Sequence, residues 1–368
     1  MSRLQQLLAV LAVALSAAGL GFAIAAGGAA RQPAIALFLA LGVLSALRVR
    51  VPWSLWLDGA LALFGAAALL LALPLAATPA SPDYWLALAA AWVLVWLFVE
   101  RLTRALRRGD LRGRAFDLLI PLLFGAAILV VWEAVTRAGG VPAVLLPPPS
   151  SIWARIVTSL SVLAADFAQT FLKAVLAGYA LGCGAGFLVA IAIDRSPFLK
   201  RGLLPLGNFV SALPIIGVAP IMVMWFGFDW PSKAAVVVVM TFFPMLVNTV
   251  AGLNAAGAME RDLMRTYAAG YWPTLFKLRL PAAGPFIFNG LKINSTLALI
   301  GAIVAEFFGT PIVGMGFRIS TEVGRMNVDM VWAEIAVAAL AGSLFYGVVV
   351  LIERAVTFWH PSVRSGRT

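Results

Sequence analysis

Long apolar runs alternate along this chain with short basic segments, and that alternation constrains the fold more than any other feature. A lipid bilayer offers no partner for backbone N–H and C=O groups, so a run of about twenty apolar residues crosses it as a helix. Ten such runs are present: Leu4–Ile24, Pro33–Leu47, Trp53–Ala77, Tyr84–Val99, Leu118–Val135, Phe167–Ile193, Leu203–Phe228, Ser232–Leu253, Pro285–Phe308 and Val331–Phe358. The expected fold is therefore all-α, a polytopic membrane helix bundle with about ten transmembrane helices. With 62% hydrophobic and 12% charged residues, the composition excludes a soluble domain of this length. The first run follows Arg3 and precedes small residues, as in a signal peptide, but its length favours a retained span.

The net charge of +11 would suggest nucleic acid in a soluble protein. Here the cations sit between apolar runs, which points to topology and anionic headgroups instead. Placing both termini in the cytoplasm puts nineteen Lys and Arg on the cytoplasmic side and six on the other. That bias fits the positive-inside rule and opposes the inverse orientation. The segment 100–114, ERLTRALRRGDLRGR, carries six arginines and is read as a linker. It divides a four-span unit, residues 1–115, from the remainder, 116–368.

Cys183 is the one cysteine and His360 the one histidine, so no Cys/His metal cluster or Ser/His nucleophile arrangement is available. No metal or cofactor is expected. No G-x-x-x-x-G-K-[ST] sequence is present, so a nucleotide would have to be bound by a partner. Ile152–Leu163 is amphipathic and is expected to lie along the membrane surface, while Gly309–Asp329 is expected to be a loop. A proton- or sodium-coupled transporter is one competing class, but its acidic residues fall mostly near span ends and no internal repeat is evident. A membrane-embedded enzyme is another, and its scattered carboxylates form no clustered site.

The segment Glu260–Pro281, ERDLMRTYAAGYWPTLFKLRLP, is too polar to span and yet patterned. Leu263, Met264, Tyr267, Ala268 and Tyr271 fall at helical spacing. Gly270 suits the end of that helix and Pro273 the first turn of a second. A solvated loop is the plain reading; a docking element for a soluble partner is the functional one. In the latter, Tyr267 and Tyr271 lie one turn apart and enter one groove, with Arg261 on the solvated side.

From about Asp117 onward the chain resembles the membrane permeases of bacterial ABC importers, in the nitrate, sulfonate, taurine and thiamine-precursor group. Their cytoplasmic pattern E-A-A-x3-G ending in L-P is matched by Asp262 at the acidic position, Leu263 and Met264 at the alanines, Ala268 at the glycine, and Leu280-Pro281. Leu146–Trp153, SALPIIGVAPIMVMWFG (211–227), FFPMLVNTVAGL (242–253) and Phe288–Glu306 fit in order and spacing. The resemblance implies a six-helix permease core in the bacterial inner membrane. It implies coupling by 260–281 to ABC ATPase subunits, a periplasmic or lipid-anchored substrate-binding protein, and a second permease copy as homodimer partner. Membrane lipid is the remaining partner, and no nucleic acid is implied. Asn208, Ser211, Asn248, Asn289, Asn294 and Ser295 are candidates for the substrate path, interhelical hydrogen bonding being the alternative for each. Glu306 and Lys292 are read as snorkelling to opposite surfaces, with gating as a second role for Glu306. FGFDWPSK followed by FFPMLVNTVAGL looks most like the pyrimidine-precursor and riboflavin branch; sulfonate-, nitrate- or taurine-type transport is the alternative.

Overall fold

In the computed structural model, residues 3–26, 32–50, 54–71, 82–110, 114–196, 198–203, 205, 214–309 and 312–359 are described. Among them every regular element is helical. Seven helices are long and apolar enough to cross a membrane, and three shorter apolar helices coincide with the second, third and seventh expected spans. The chain forms two compact units, Met1–Ala154 and Arg155–Thr368.

The first unit holds α1 (Arg3–Ala26), α2 (Gln32–Arg50), α3 (Leu55–Leu71), α4 (Pro82–Arg108) and α5 (Arg114–Ala138). Contact thus groups α5 with the four helices before it. Leu8, Ala9, Leu41, Leu61, Leu94 and Leu97 form its interior. Arg48 and Asp58 are buried there and paired at 2.5 Å, with Arg101 also on Asp58. In a low dielectric such charges persist only when paired. The Glu133 carboxylate accepts from Ser150 N (2.9 Å) and Ser150 Oγ (2.7 Å). It thereby ties down the first turn of α6 (Pro149–Thr158).

In the second unit, α7 (Leu160–Phe167), a π-helical segment (Ala168–Val175) and α8 (Leu176–Arg195) run as one 36-residue helix. The surface helix expected over 152–163 ends at Thr158, and the sixth span begins at Leu160 rather than Phe167. Then follow α9 (Ile215–Phe226), α10 (Trp230–Leu253), α11 (Ala258–Thr266), α12 (Tyr271–Thr274), a π turn (Leu275–Arg279), α13 (Leu280–Glu306), α14 (Met315–Gly324) and α15 (Val328–Val356). Residues 309–329, expected as loop, therefore contain a helix, α14.

Close approach of α8 to α10 depends on absent side chains. A Cβ at Gly178 would lie 2.5 Å from Val237 Cβ, and one at Gly186 would lie 2.5 Å from Phe242 O. Between membrane helices, where lipid is as apolar as leucine, such backbone proximity supplies the packing energy.

Candidate coupling loop and membrane path

The basic segment between α10 and α13 folds into two short helices, as its pattern predicts. No residue of α11 is buried. Met259 (84% exposed), Leu263 (56%) and Tyr267 (77%) stand out from it, and Met264 is half-buried. A row of large apolar groups facing water is costly unless a partner covers it.

The end of α11 departs from expectation. Ala268 N donates to Arg265 O (2.8 Å) and Ala269 N to Met264 O (3.0 Å). This is the Schellman arrangement, which puts its C′ residue in the left-handed region. Ala268 occupies that position at φ 53°, so the residue aligned with the permease pattern's glycine is the one whose backbone favours glycine. Gly270, expected to close α11, instead has φ −67° and opens α12.

Tyr271 is separated from Tyr267 by that bend and turns inward. Its hydroxyl donates to Asp194 Oδ2 (3.0 Å), and its ring packs on Leu253, Leu275 and Ala283. The expectation that both tyrosines enter one groove therefore fails, because they lie on different helices. Arg279 binds Asp194 through both terminal nitrogens (2.7 and 2.6 Å) and donates from Nε to Leu253 O (2.9 Å). Arg261 is not merely solvated. It donates to Asn254 O (2.9 Å) and Ala256 O (2.9 Å from Nε), satisfying carbonyls just beyond the C-terminus of α10. Asp262 is exposed and pairs loosely with Arg265 at 3.3 Å, while Pro281 lies in the first turn of α13.

Of the path candidates, Asn208 and Ser211 lie outside the described residues. Asn289 Nδ2 donates to Asn248 Oδ1 at 3.1 Å, and Asn289 is exposed. Asn294 is fully buried and donates to Thr241 O (2.7 Å) and Cys183 Sγ (3.1 Å). Ser295 is buried too and closes on Lys292 O at 2.7 Å. The structure thus brings Asn248 and Asn289 together on an accessible face and commits Asn294 and Ser295 to packing. Lys292 is not a lone charge, since it pairs with Glu353 at 2.9 Å.

A buried polar network at the far end of α13 was not legible in the sequence. Asp166 Oδ1 accepts from Gly314 N (2.6 Å), Thr170 Oγ1 from Met315 N (2.8 Å), and Glu306 Oε2 from Gly316 N (2.7 Å). Thr170 also donates to Glu306 Oε1 (2.8 Å). Three successive N–H groups at the opening of α14, from Gly314 to Gly316, are thus satisfied by side chains from the sixth and ninth spans. Gly314 sits at φ 144°, and a Cβ there would lie 2.7 Å from Glu306 Oε1. Arg318 Nε donates to Asp166 Oδ2 (2.8 Å), and this bond raises the guanidinium above its ordinary value. Glu306 is 2% exposed and Glu334 is fully buried nearby, so Glu306 does not reach the surface. The one local signal was the i,i+4 spacing of Asp166 and Thr170, which falls at the edge of the expected sixth span.

A family model described as the binding-protein-dependent transport system inner membrane component matches residues 182–358. The chain is 31% identical over 246 residues to the formylaminopyrimidine transport permease protein ThiX of Halalkalibacterium halodurans, covering 67% of this chain and 98% of that protein. It is 29% identical over 236 residues to the riboflavin transport system permease protein RibX of Chloroflexus aurantiacus, covering 64% and 88%. It is 30% identical over 244 residues to the putative aliphatic sulfonates transport permease protein SsuC of Bacillus subtilis, covering 66% and 87%.

Proposed function

The chain belongs to the family of binding-protein-dependent transport system inner membrane components, and from that premise we propose how it couples and what it carries. It is a transport subunit, an ABC importer permease, and not an enzyme. In the proposed cycle an ATPase subunit receives α11 in a groove, a binding protein delivers solute from the other side, and two permease copies enclose the path. Both termini and the 260–281 loop lie in the cytoplasm, as the cation distribution favours. Residues 1–115 are an appended membrane unit, and 116–368 the permease domain.

The observation that carries the coupling reading is the exposed apolar face of α11, held on a tethered base. Leu263 and Tyr267 face water, while Arg261, Tyr271 and Arg279 fasten the loop to the ends of α8 and α10. A docking helix needs both an anchor face and a stiff mounting. The solute we infer is an uncharged or aromatic heterocycle, such as a pyrimidine vitamin precursor or a riboflavin-like compound. Supporting this, Lys173, Lys233 and Lys292 each engage a group of this chain, namely Gln169, Phe228 O and Glu353. Lys233 is fully buried and Lys292 is neutralised by Glu353, so neither is presented to an anion.

Burying a large side chain contributes about 1.5–3 kcal/mol, so losing one anchor weakens docking by about tenfold or more. Leu263→Ala with Tyr267→Ala should abolish co-purification of the ATPase and solute-stimulated hydrolysis in reconstituted vesicles, with membrane insertion intact. Normal association of that double variant would remove α11 from the coupling role. Identifying the ligand of the co-purifying binding protein tests the solute, and a sulfonate found there would overturn the heterocycle.

A further inference from the structure

Between the ends of α8 and α10 and the coupling loop lies a cavity of about 420 Å³ whose polar lining is dominated by cations. Lys200, Arg261, Arg265 and Arg279 face it, against the single carboxylate of Asp194. Arg279 consumes that carboxylate in its two-pronged bond. Arg261 spends its hydrogen bonds on neutral carbonyls, so its charge is not cancelled. Arg265 meets only the loose contact with Asp262, both side chains being largely exposed (81% and 69%). Lys200 has no ion pair among the described residues. A concave site with two cations that have no ion pair among the described residues, and a third held only by a loose, exposed one, calls for an anion with several acceptor oxygens, which is the chemistry of a phosphate group.

The surroundings say which phosphate. Trp272 and Phe276 stack at 5.9 Å one turn apart beside the cavity, and both are exposed (49% and 61%). The Arg195 guanidinium lies 5.6 Å and 5.7 Å from the Tyr271 and Trp272 ring centres. Exposed aromatic rings next to cations at the end of a span mark the headgroup level of a bilayer. Basic pockets at that level, between membrane helices, hold anionic headgroups.

We propose that this cavity binds the phosphate of an anionic phospholipid in the cytoplasmic leaflet, bridging the coupling loop to the ends of α8 and α10. A lipid so held ties the mounting of α11 to the membrane surface and makes coupling dependent on lipid charge. The choice of leaflet rests on the orientation proposed above; binding to the purified chain does not, so the two can fail separately.

The test is native mass spectrometry of the full chain in neutral detergent, titrated with phosphatidylglycerol, with phosphatidylcholine, or with inorganic phosphate. Wild type should retain phosphatidylglycerol and not phosphatidylcholine, and millimolar phosphate should not displace it. Each cation at a membrane surface is worth about a fivefold change, so Lys200→Gln with Arg265→Gln should lower affinity about thirtyfold. Both residues are exposed, so folding should survive. Lys200→Arg with Arg265→Lys keeps the charges and should keep the lipid. Equal retention of phosphatidylcholine, or unchanged affinity in the Gln variant, overturns the proposal. Displacement by inorganic phosphate makes this a soluble-anion site and overturns the lipid assignment. If neither phosphate source binds, the cations face a partner's carboxylates and the proposal fails.

Discussion

Replacing Asp194 with alanine would strand Arg279 in a site where its side chain is only 14% exposed. The wild-type guanidinium makes two charged bonds to Asp194 at 2.7 and 2.6 Å and one to Leu253 O at 2.9 Å. Only the last survives, and Tyr271 loses its carboxylate acceptor as well. Breaking a buried ion pair from one side costs about 3–5 kcal/mol. The pair's residual exposure lets water reach the orphaned cation, so the lower end, about 3 kcal/mol, applies. That energy is lost locally, from the mounting of the loop, and so is read as local opening rather than global unfolding. Amide exchange over 257–279 should accelerate about a hundredfold, while 176–190 of α8 serves as internal control. The double variant Asp194→Ala/Arg279→Met removes both charges and fills the space with a chain of similar reach. It should recover most of the protection, because an apolar replacement avoids the desolvation cost. If Asp194→Ala exchanges like wild type, or the double variant is no better than the single one, this ion pair is not what holds the loop.

Two further outcomes are expected. Ala268→Gly should slow opening of the α11 C-terminus by a few-fold, since a left-handed alanine costs about 1 kcal/mol more than glycine there, and Ala268→Val should speed it; exchange at the Ala269 amide reports both. Cysteine placed at Leu145, 73% exposed, should react with an impermeant reagent in intact cells and cysteine at Arg265 only after lysis, whereas labelling of 265 from outside would invert the topology.

What could be read from the sequence was what a bilayer imposes locally. The spans follow from run length, the loop helices from periodicity and turn residues, and the left-handed Ala268 sits where a glycine pattern had placed it. What could not be read was long-range pairing. Asp166 meets Gly314 across 148 residues and Thr170 meets Glu306 across 136. Neither separation leaves a periodic trace. Gly309–Asp329 looked like loop because its glycines are turn formers, yet Gly314 is there to let α14 start against Glu306. Tyr271 was assigned by a helical phase that ended when α11 stopped at Thr266, and Arg261, inside α11, was assigned to water although its long side chain reaches back to the Asn254 and Ala256 carbonyls. Lys292 and Glu306 were read as single charges seeking the surface, whereas both have partners within this chain.

Those partners also bear on how a push at the loop could reach the opposite side. The helix running from Leu160 to Arg195 and the one ending at Glu306 are tied at four levels. Thr170 bonds Glu306, Tyr179 donates to Leu291 O, Asn294 donates to Cys183, and Arg279 bonds Asp194. From the first tie to the last, numbers rise on one helix and fall on the other, with the two middle ties locally offset, so the helices run antiparallel. The 27 residues of α13 alone extend about 40 Å at the usual rise. A pair fastened at both ends and twice between cannot shear without breaking buried polar bonds, each of which costs about 1–3 kcal/mol to leave unmet. A displacement of the coupling loop would therefore tilt the pair as one strut. Because Glu306, at its far end, holds the start of α14, that helix would move with it. The charged clamps thus stand where a stiff transmission needs them, at the two ends of the strut, and the weaker thiol and carbonyl contacts lie between.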